Sequence, residues 1–292
     1  MTTPLLVQIL VQTLIYASIY SLFGLGYVLI YRASRVFNFA IAEMGLFSAL
    51  LFTTCFVAFG LVWAIVLTVI GSLALGAALY LGIFSRLVGQ EEWSQMIVSF
   101  ALSIALLAVC GLIWGTEIRN IDVPGEKDTL FHIPGHVTLT ITDVVLIVSG
   151  FTIWGVLAWA TTLSRLGVYM RATAENPLLA AQQGLPVTLI ICTAWGVGGL
   201  VSAVASVSYG IRLQVDPTMI LLGLVAVPAA LLGGLDSVFG KLPGAIILGA
   251  AQATAAAFFG AAAGDVVAFA TLLVVLLVLP HGLFGSKLIR RV

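Results

Sequence analysis

Apolar stretches of about 20 residues alternate with short polar segments along the whole chain. A helix needs about 20 apolar residues to cross the hydrocarbon core of a bilayer. The pattern therefore predicts an all-α fold, a polytopic integral membrane helix bundle of about nine transmembrane helices, some of them broken. The predicted spans are 5–30, a second opening after Arg35 and running to about Phe59, then 61–84, 93–115, 144–163, 187–209, 218–233, 243–260 and 266–280. Residues 1–292 read as one transmembrane domain.

The few polar positions inside these runs are patterned. Gln8, Gln12, Tyr16 and Tyr20 recur every four residues, which puts them on one face of the first helix. In lipid such a stripe faces either a neighbouring helix, as hydrogen-bonding glue, or a translocation path. Asn38 and Glu43 open the second span. Asn38 is placed to cap that helix and Glu43 to suit its dipole; alternatively, both mark a break beside the path. In the sixth span Ala194, Gly198, Ser202, Ser206 and Gly210 form a small-residue stripe that lets another helix approach closely. The seventh run is short and holds Pro228, which removes one backbone hydrogen bond. A short, broken span points to the translocation route, because freed backbone groups are tolerated only against protein or water. Gly260 and Gly264 form a further GxxxG step.

Composition excludes other classes. The chain of 292 residues is 61% hydrophobic and 8% charged, with a mean hydropathy of +1.19; soluble domains carry about 25% charged residues. No basic patch exists to neutralise phosphates, so no nucleic-acid partner is expected. Cys55, Cys110 and Cys192 sit in apolar runs and read as small hydrophobes. No metal site is expected: His132 and His136 are separated by Pro134-Gly135, which disfavours a helix presenting both. The N-terminus lacks a basic leader region, so the first helix is expected to be retained.

The net charge of zero hides an asymmetry. Alternate loops place Arg32, Arg35, Arg86, Arg165, Arg171, Lys241, Lys287, Arg290 and Arg291 on one side, and Arg119, Lys127 and Arg212 on the other. By the positive-inside tendency, the C-terminus is cytoplasmic and the N-terminus outside. Residues 116–142 become an extracytoplasmic loop, with an extended segment over 136–142. The spans lack the ionisable groups that ion-coupled transporters use. No catalytic constellation or nucleotide-binding motif appears either, so the chain is not read as an enzyme.

One stretch does not belong in lipid. Arg171-Ala-Thr-Ala-Glu175-Asn176 through Ala180 to Gly184-Leu-Pro186 is polar, Ala-rich and cytoplasmic by the charge rule. Isolated helices of this length are marginal in water, so the segment reads as a handle for another protein.

Four regions together resemble the permease family of ABC importers for branched-chain, or hydrophobic, amino acids. They are Tyr27-Val-Leu-Ile-Tyr-Arg with Val36-Phe-Asn-Phe-Ala and Glu43; Arg171-Ala-Thr-Ala-Glu-Asn through Gly184; Leu232-Gly-Gly-Leu-Asp-Ser with Pro243-Gly-Ala; and Leu279-Pro-His-Gly-Leu-Phe-Gly. The resemblance implies a multi-pass permease of the bacterial inner membrane, in a heterodimer with a second related permease. Its other implied partners are two cytoplasmic ABC ATPases, an extracytoplasmic solute-binding protein and membrane lipid. It implies no cofactor on this chain; ATP and Mg belong to the ATPases. Arg171, Glu175, Asn176, Ala180 and Gly184 would lie on the ATPase-coupling helix (171–186). Gln8, Gln12, Asn38, Glu43 and Pro228 are the path candidates, and Gly198, Ser202, Ser206 and Gly210 the packing stripe. The chain departs from the family at Ile41-Ala42, where members usually have His-Gly, and this bears on the solute, since relatives also handle amides, urea and organic acids. The rival expectation is a stand-alone channel or secondary transporter for a neutral solute; a purely structural protein would need no polar stripe.

Overall fold

The computed structural model describes residues 3–123, 129–133, 137–234 and 237–278. Lys127, His136, Asp236, the 279–285 motif, Lys287, Arg290 and Arg291 lie outside the described residues. The helices are α1 (Thr3–Ser34), α2 (Ile41–Phe59), α3 (Leu61–Gly82), α4 (Glu92–Trp114), α5 (Ile141–Leu163), α6 (Arg165–Glu175), α7 (Pro177–Gln182), α8 (Val187–Arg212), α9 (Ile220–Gly233), α10 (Lys241–Phe259) and α11 (Ala261–Val278). Short 3₁₀ turns at Phe84–Leu87 and Pro217–Met219 precede α4 and α9. Seven of these helices are long and apolar enough to cross a bilayer, and α9 and α11 are shorter apolar helices. At 14 residues, α9 reaches only about 21 Å.

The chain alternates between two ends. Arg32, Arg35, Arg86, Arg165, Arg171 and Lys241 fall at one, here called the basic face. The start of α1, the joints at Gly60 and Gly260, and Arg119 and Arg212 mark the other, the N-terminal face. Strands β1 (Thr129–Ile133) and β2 (Val137–Thr140) pair antiparallel there, with Phe131 opposite Leu139. Of the expected extended segment over 136–142, Val137–Thr140 is a strand of this pair, whereas Ile141 and Thr142 open α5. At its end Thr140 and Asp143 form a capping box for α5: Asp143 N donates to Thr140 Oγ1, and Thr140 N to Asp143 Oδ2. Asp143 also accepts from Arg212 Nε at 2.6 Å, tying α5 to the end of α8.

Helices α1 and α8 form the centre. From Ile15 onward α1 is almost wholly buried, packed against α10, α8, α5 and α9, while α8 packs on α1, α2 and α3. The small-residue stripe explains this arrangement. Gly198 faces Ile30 and the carbonyl of Gly26 on α1, and Ser202 and Ser206 face Gly45 on α2. A Cβ built on Gly76 of α3 would stand 2.2 Å from the Trp195 carbonyl oxygen, a backbone atom that cannot step aside. Gly210 departs from the expected pattern. It packs against Val215 and Ile121, in the segment where Arg119 and Val215 exchange backbone hydrogen bonds of 2.9 and 2.8 Å, so it meets a loop and no helix.

Two other expectations change. Pro228 does not break its helix; α9 runs through it without interruption, with Pro228 buried among neighbouring helices. What makes the span unusual is its length. Gly260 is the joint between α10 and α11, with φ of +91°, rather than part of a packing step within one helix. Gly60, at φ +80° and ψ 178°, joins α2 to α3 in the same way.

Candidate functional site

The handle is two helices. Pro177 disfavours helical backbone at the residue before it and cannot donate to the turn behind it, so α6 stops at Glu175. Asn176 turns extended, and its Oδ1 accepts from Leu179 N at 3.0 Å, capping α7 with Pro177 in the first helical position. Asn176-Pro177 was a readable stop and start that the Ala-rich composition obscured. At the other end Gly184 takes φ +81°; its N–H donates to Ala181 O, and Leu185 N–H donates to Ala180 O, a Schellman closure. The inner face of α6 is fixed by Met170 against Ala33, Ile190 and Ala194. Thr173 Oγ1 donates to Met170 O at 2.8 Å and approaches Ala33 O of α1 at 3.5 Å.

Arg171, Glu175, Asn176 and Gly184 are exposed on this element, whereas Ala180 is 5% exposed and turned inward. The most prominent groups were missed in the sequence: Leu178 and Leu179 are 71% and 55% exposed. Two leucines thus stand out from a short capped helix at the basic face, among exposed polar neighbours.

The approach to α2 forms a second region. Arg35 takes φ +56°, the one non-glycine residue with positive φ among the described residues, and its guanidinium lies 5.5 Å from the Tyr31 ring centroid. Asn38 is fully buried but is not the cap of α2. Ala40 holds that position without a side-chain bond, and Asn38 Oδ1 accepts from Ala40 N at 3.0 Å, closing the turn before the helix. Ala42, at the point of departure from the family, packs on Gly223 of α9. Glu43 is 6% exposed. Its carboxyl faces the Ser103 hydroxyl of α4, and its Oε2 has no hydrogen-bond partner among the described residues.

Helix α4 is held to α2 by a seam of hydrogen bonds. Ser99 Oγ donates to Phe37 O, in the turn leading into α2, at 3.0 Å, and Trp114 Nε1 donates to Thr54 Oγ1 of α2 at 2.8 Å. The stripe on α1 behaves as glue where it is deepest: Tyr20 donates to Gln252 Oε1 at 2.5 Å, and Gln252 Nε2 donates to Asp265 Oδ1 at 3.1 Å. Tyr16 stacks on Tyr20. Gln8 and Gln12 are half-buried near the start of α1. The five path candidates do not gather: Gln8 and Gln12 lie toward the N-terminal face, Asn38 and Glu43 beside α4, and Pro228 within α9.

Lys241 is another residue that spacing alone did not single out. It is fully buried, and its Nζ donates to the carbonyls of Ala230 and Gly234 at the end of α9, where a cation meets the negative pole of that helix. Among the described residues no group of three or more His, Cys, Asp or Glu could hold a metal ion.

The sequence profile of the branched-chain amino acid transport system, permease component, matches residues 9–276. The chain belongs to this family, and it is a multi-pass membrane permease component. It is 29% identical over 299 residues to the high-affinity branched-chain amino acid transport system permease protein BraD of Pseudomonas aeruginosa, covering 98% of this chain and 97% of that one. It is 28% identical over 295 residues to LivH of Escherichia coli strain K12, a permease protein with the same description, covering 94% of each. In fold it is similar to PsaBC from Streptococcus pneumoniae in complex with Fab, with a TM-score of 0.52 and 16% identity, over 94% of this chain and 92% of that chain.

Proposed function

We propose that this chain is the membrane subunit of an ATP-driven importer for branched-chain or similarly apolar amino acids, seated in the bacterial inner membrane with its basic face in the cytoplasm. The observation that carries the reading is the α6–α7 element. It is a capped knob outside the spans, anchored on α1 and α8, the two helices at the centre of the bundle. A cytoplasmic ATPase gripping Leu178 and Leu179 would move α6, and through Met170 and Thr173 the inner ends of α1 and α8. Arg171, Glu175, Asn176 and Gly184 rim that contact. ATP and Mg would bind the ATPases, two per assembly. A second related permease and an extracytoplasmic solute-binding protein would complete it. The curated relatives named above are branched-chain amino acid permeases, which supports the solute class.

Replacing Leu178 and Leu179 together by Ser tests this. Each lies outside the spans, so the chain should reach the membrane at normal abundance. Solute-stimulated ATP hydrolysis by the reconstituted assembly should fall by at least about tenfold, the effect of losing ~1.4 kcal/mol or more from an interface hot spot. Unchanged coupled uptake in that variant overturns the reading.

A further inference from the structure

A cavity of about 260 Å³ opens between α2 and α4 toward the N-terminal face. Its wall is apolar: Leu46 and Leu50 from α2, Leu107 and Cys110 from α4. Its mouth is charged. Glu117 and Asp216 line it. Arg119 flanks the mouth without lining it: its backbone pairs with Val215, the neighbour of Asp216, and its Nη2 donates to the carbonyl of Trp114, the neighbour of Gly115, at 2.8 Å. Asp216 is fixed by Gln214 Nε2 and Thr218 N at 2.6 and 2.7 Å, and by the Thr218 hydroxyl. A carboxylate offers about four acceptor sites and a guanidinium five donors, so Asp216 keeps about one acceptor site for a ligand and Arg119 keeps donors. One turn deeper along the same seam lies the Glu43 carboxyl, whose Oε2 has no hydrogen-bond partner among the described residues and which is within electrostatic reach of the Cys110 thiol.

We infer that this cavity is a solute station inside the single subunit, taking a small aliphatic amino acid with its side chain between α2 and α4. The ammonium group meets the Glu117 and Asp216 carboxylates at the mouth, and the carboxylate meets Arg119. Size favours this class: pockets for drug-sized ligands run from about 300 to 1,000 Å³, and this one is smaller. The charge arrangement favours it too, because a zwitterion with an apolar body matches an apolar well rimmed by two acids with an arginine beside them. The inference rests on the import reading for the solute class. It adds that this chain itself selects the solute, with Glu43 drawing the ammonium inward as the next anionic group along the seam.

Cys110 supplies the test. With Cys55 and Cys192 replaced by Ala, it is the remaining thiol of the three in the chain. The full transport assembly in proteoliposomes is exposed, on the side of the N-terminal face, to 2-aminoethyl methanethiosulfonate, a small cationic thiol reagent. Labelling of Cys110 should slow roughly tenfold with leucine at ten times its dissociation constant. It should not slow with 4-methylpentanoate, which has the same body and no ammonium group. Absence of labelling, absence of protection, or equal protection by both compounds overturns the station. A second variant, Leu107→Trp, fills the well and should abolish leucine uptake; full uptake in that variant also overturns it. Leucine uptake by the cysteine-reduced parent separates the two readings. Uptake without protection removes the station alone, whereas no uptake of any aliphatic amino acid removes the import reading beneath it.

Discussion

The two seams that meet on α2 are built on opposite principles. Against α8 the contact is made by Gly45, Ser202 and Ser206, with backbones so close that a Cβ on Gly45 would stand 2.2 Å from Ser206 Oγ. Against α4 the contact is made by Ser99, Ser103, Glu43 and a Trp114–Thr54 bond, with the 260 Å³ cavity left between. In lipid there is no hydrophobic force to press helices together. Close packing and hydrogen bonds are the alternatives, and they differ in what they permit. Interlocked backbones have one arrangement, whereas a hydrogen-bonded seam around a void can open and close at modest cost. The α8 seam is therefore the frame and the α4 seam the part able to move.

Substitutions separate these roles. The largest effect is expected for Gly76→Leu, at the α3–α8 contact that is close-packed in the same way as the α2–α8 seam; it drives a side chain into the Trp195 carbonyl. Overpacking costs about 1–3 kcal/mol where neighbours can shift, and a backbone atom cannot, so the variant should fail to accumulate as folded protein in detergent extracts. Gly60→Ala comes next. At φ +80° and ψ 178° an alanine is strained by about 1–3 kcal/mol, which should lower the thermal midpoint without abolishing folding. Ser99→Ala with Trp114→Phe should cost least, since hydrogen bonds between membrane helices average roughly 0.6 kcal/mol each. That pair should nevertheless speed Cys110 labelling several-fold, because it loosens the seam beside the cavity. If it instead destabilises the chain as much as Gly76→Leu, the contrast between frame and moving part is wrong.

The helices themselves were legible because span length and apolar content are written directly in residues 5–30, 61–84 or 187–209. The Gly198–Ser206 stripe announced close packing but not its target, which depends on Gly26 and Gly45 arriving from two different helices. Asn38 has the chemistry of a cap, yet its position two residues before Ala40 lets it close a turn instead, a distinction of register that composition does not carry. Pro228 looked like a break because a proline removes one hydrogen bond; buried between helices, α9 tolerates the loss. Leu178 and Leu179 were overlooked because, in a chain this apolar, two more leucines carry no signal until the fold shows them outside the spans. The α2–α4 cavity could not be read at all, since it is a property of the space between residues distant in sequence.

The single-residue joints at Gly60 and Gly260 bear on the bilayer as well as on the chain. Each closes a hairpin whose first leg, α2 or α10, is 19 residues long, about 28 Å of helix. With no slack in the joint, the legs of each hairpin cannot slide to suit lipids of another thickness. Any mismatch must be absorbed by tilting, or by thinning and thickening of the surrounding membrane, at fractions of a kcal/mol per Å. Lipid chain length thus becomes a dial on this permease: the two hairpins act as fixed depth gauges, and the far ends of α3 and α11 register whatever difference remains.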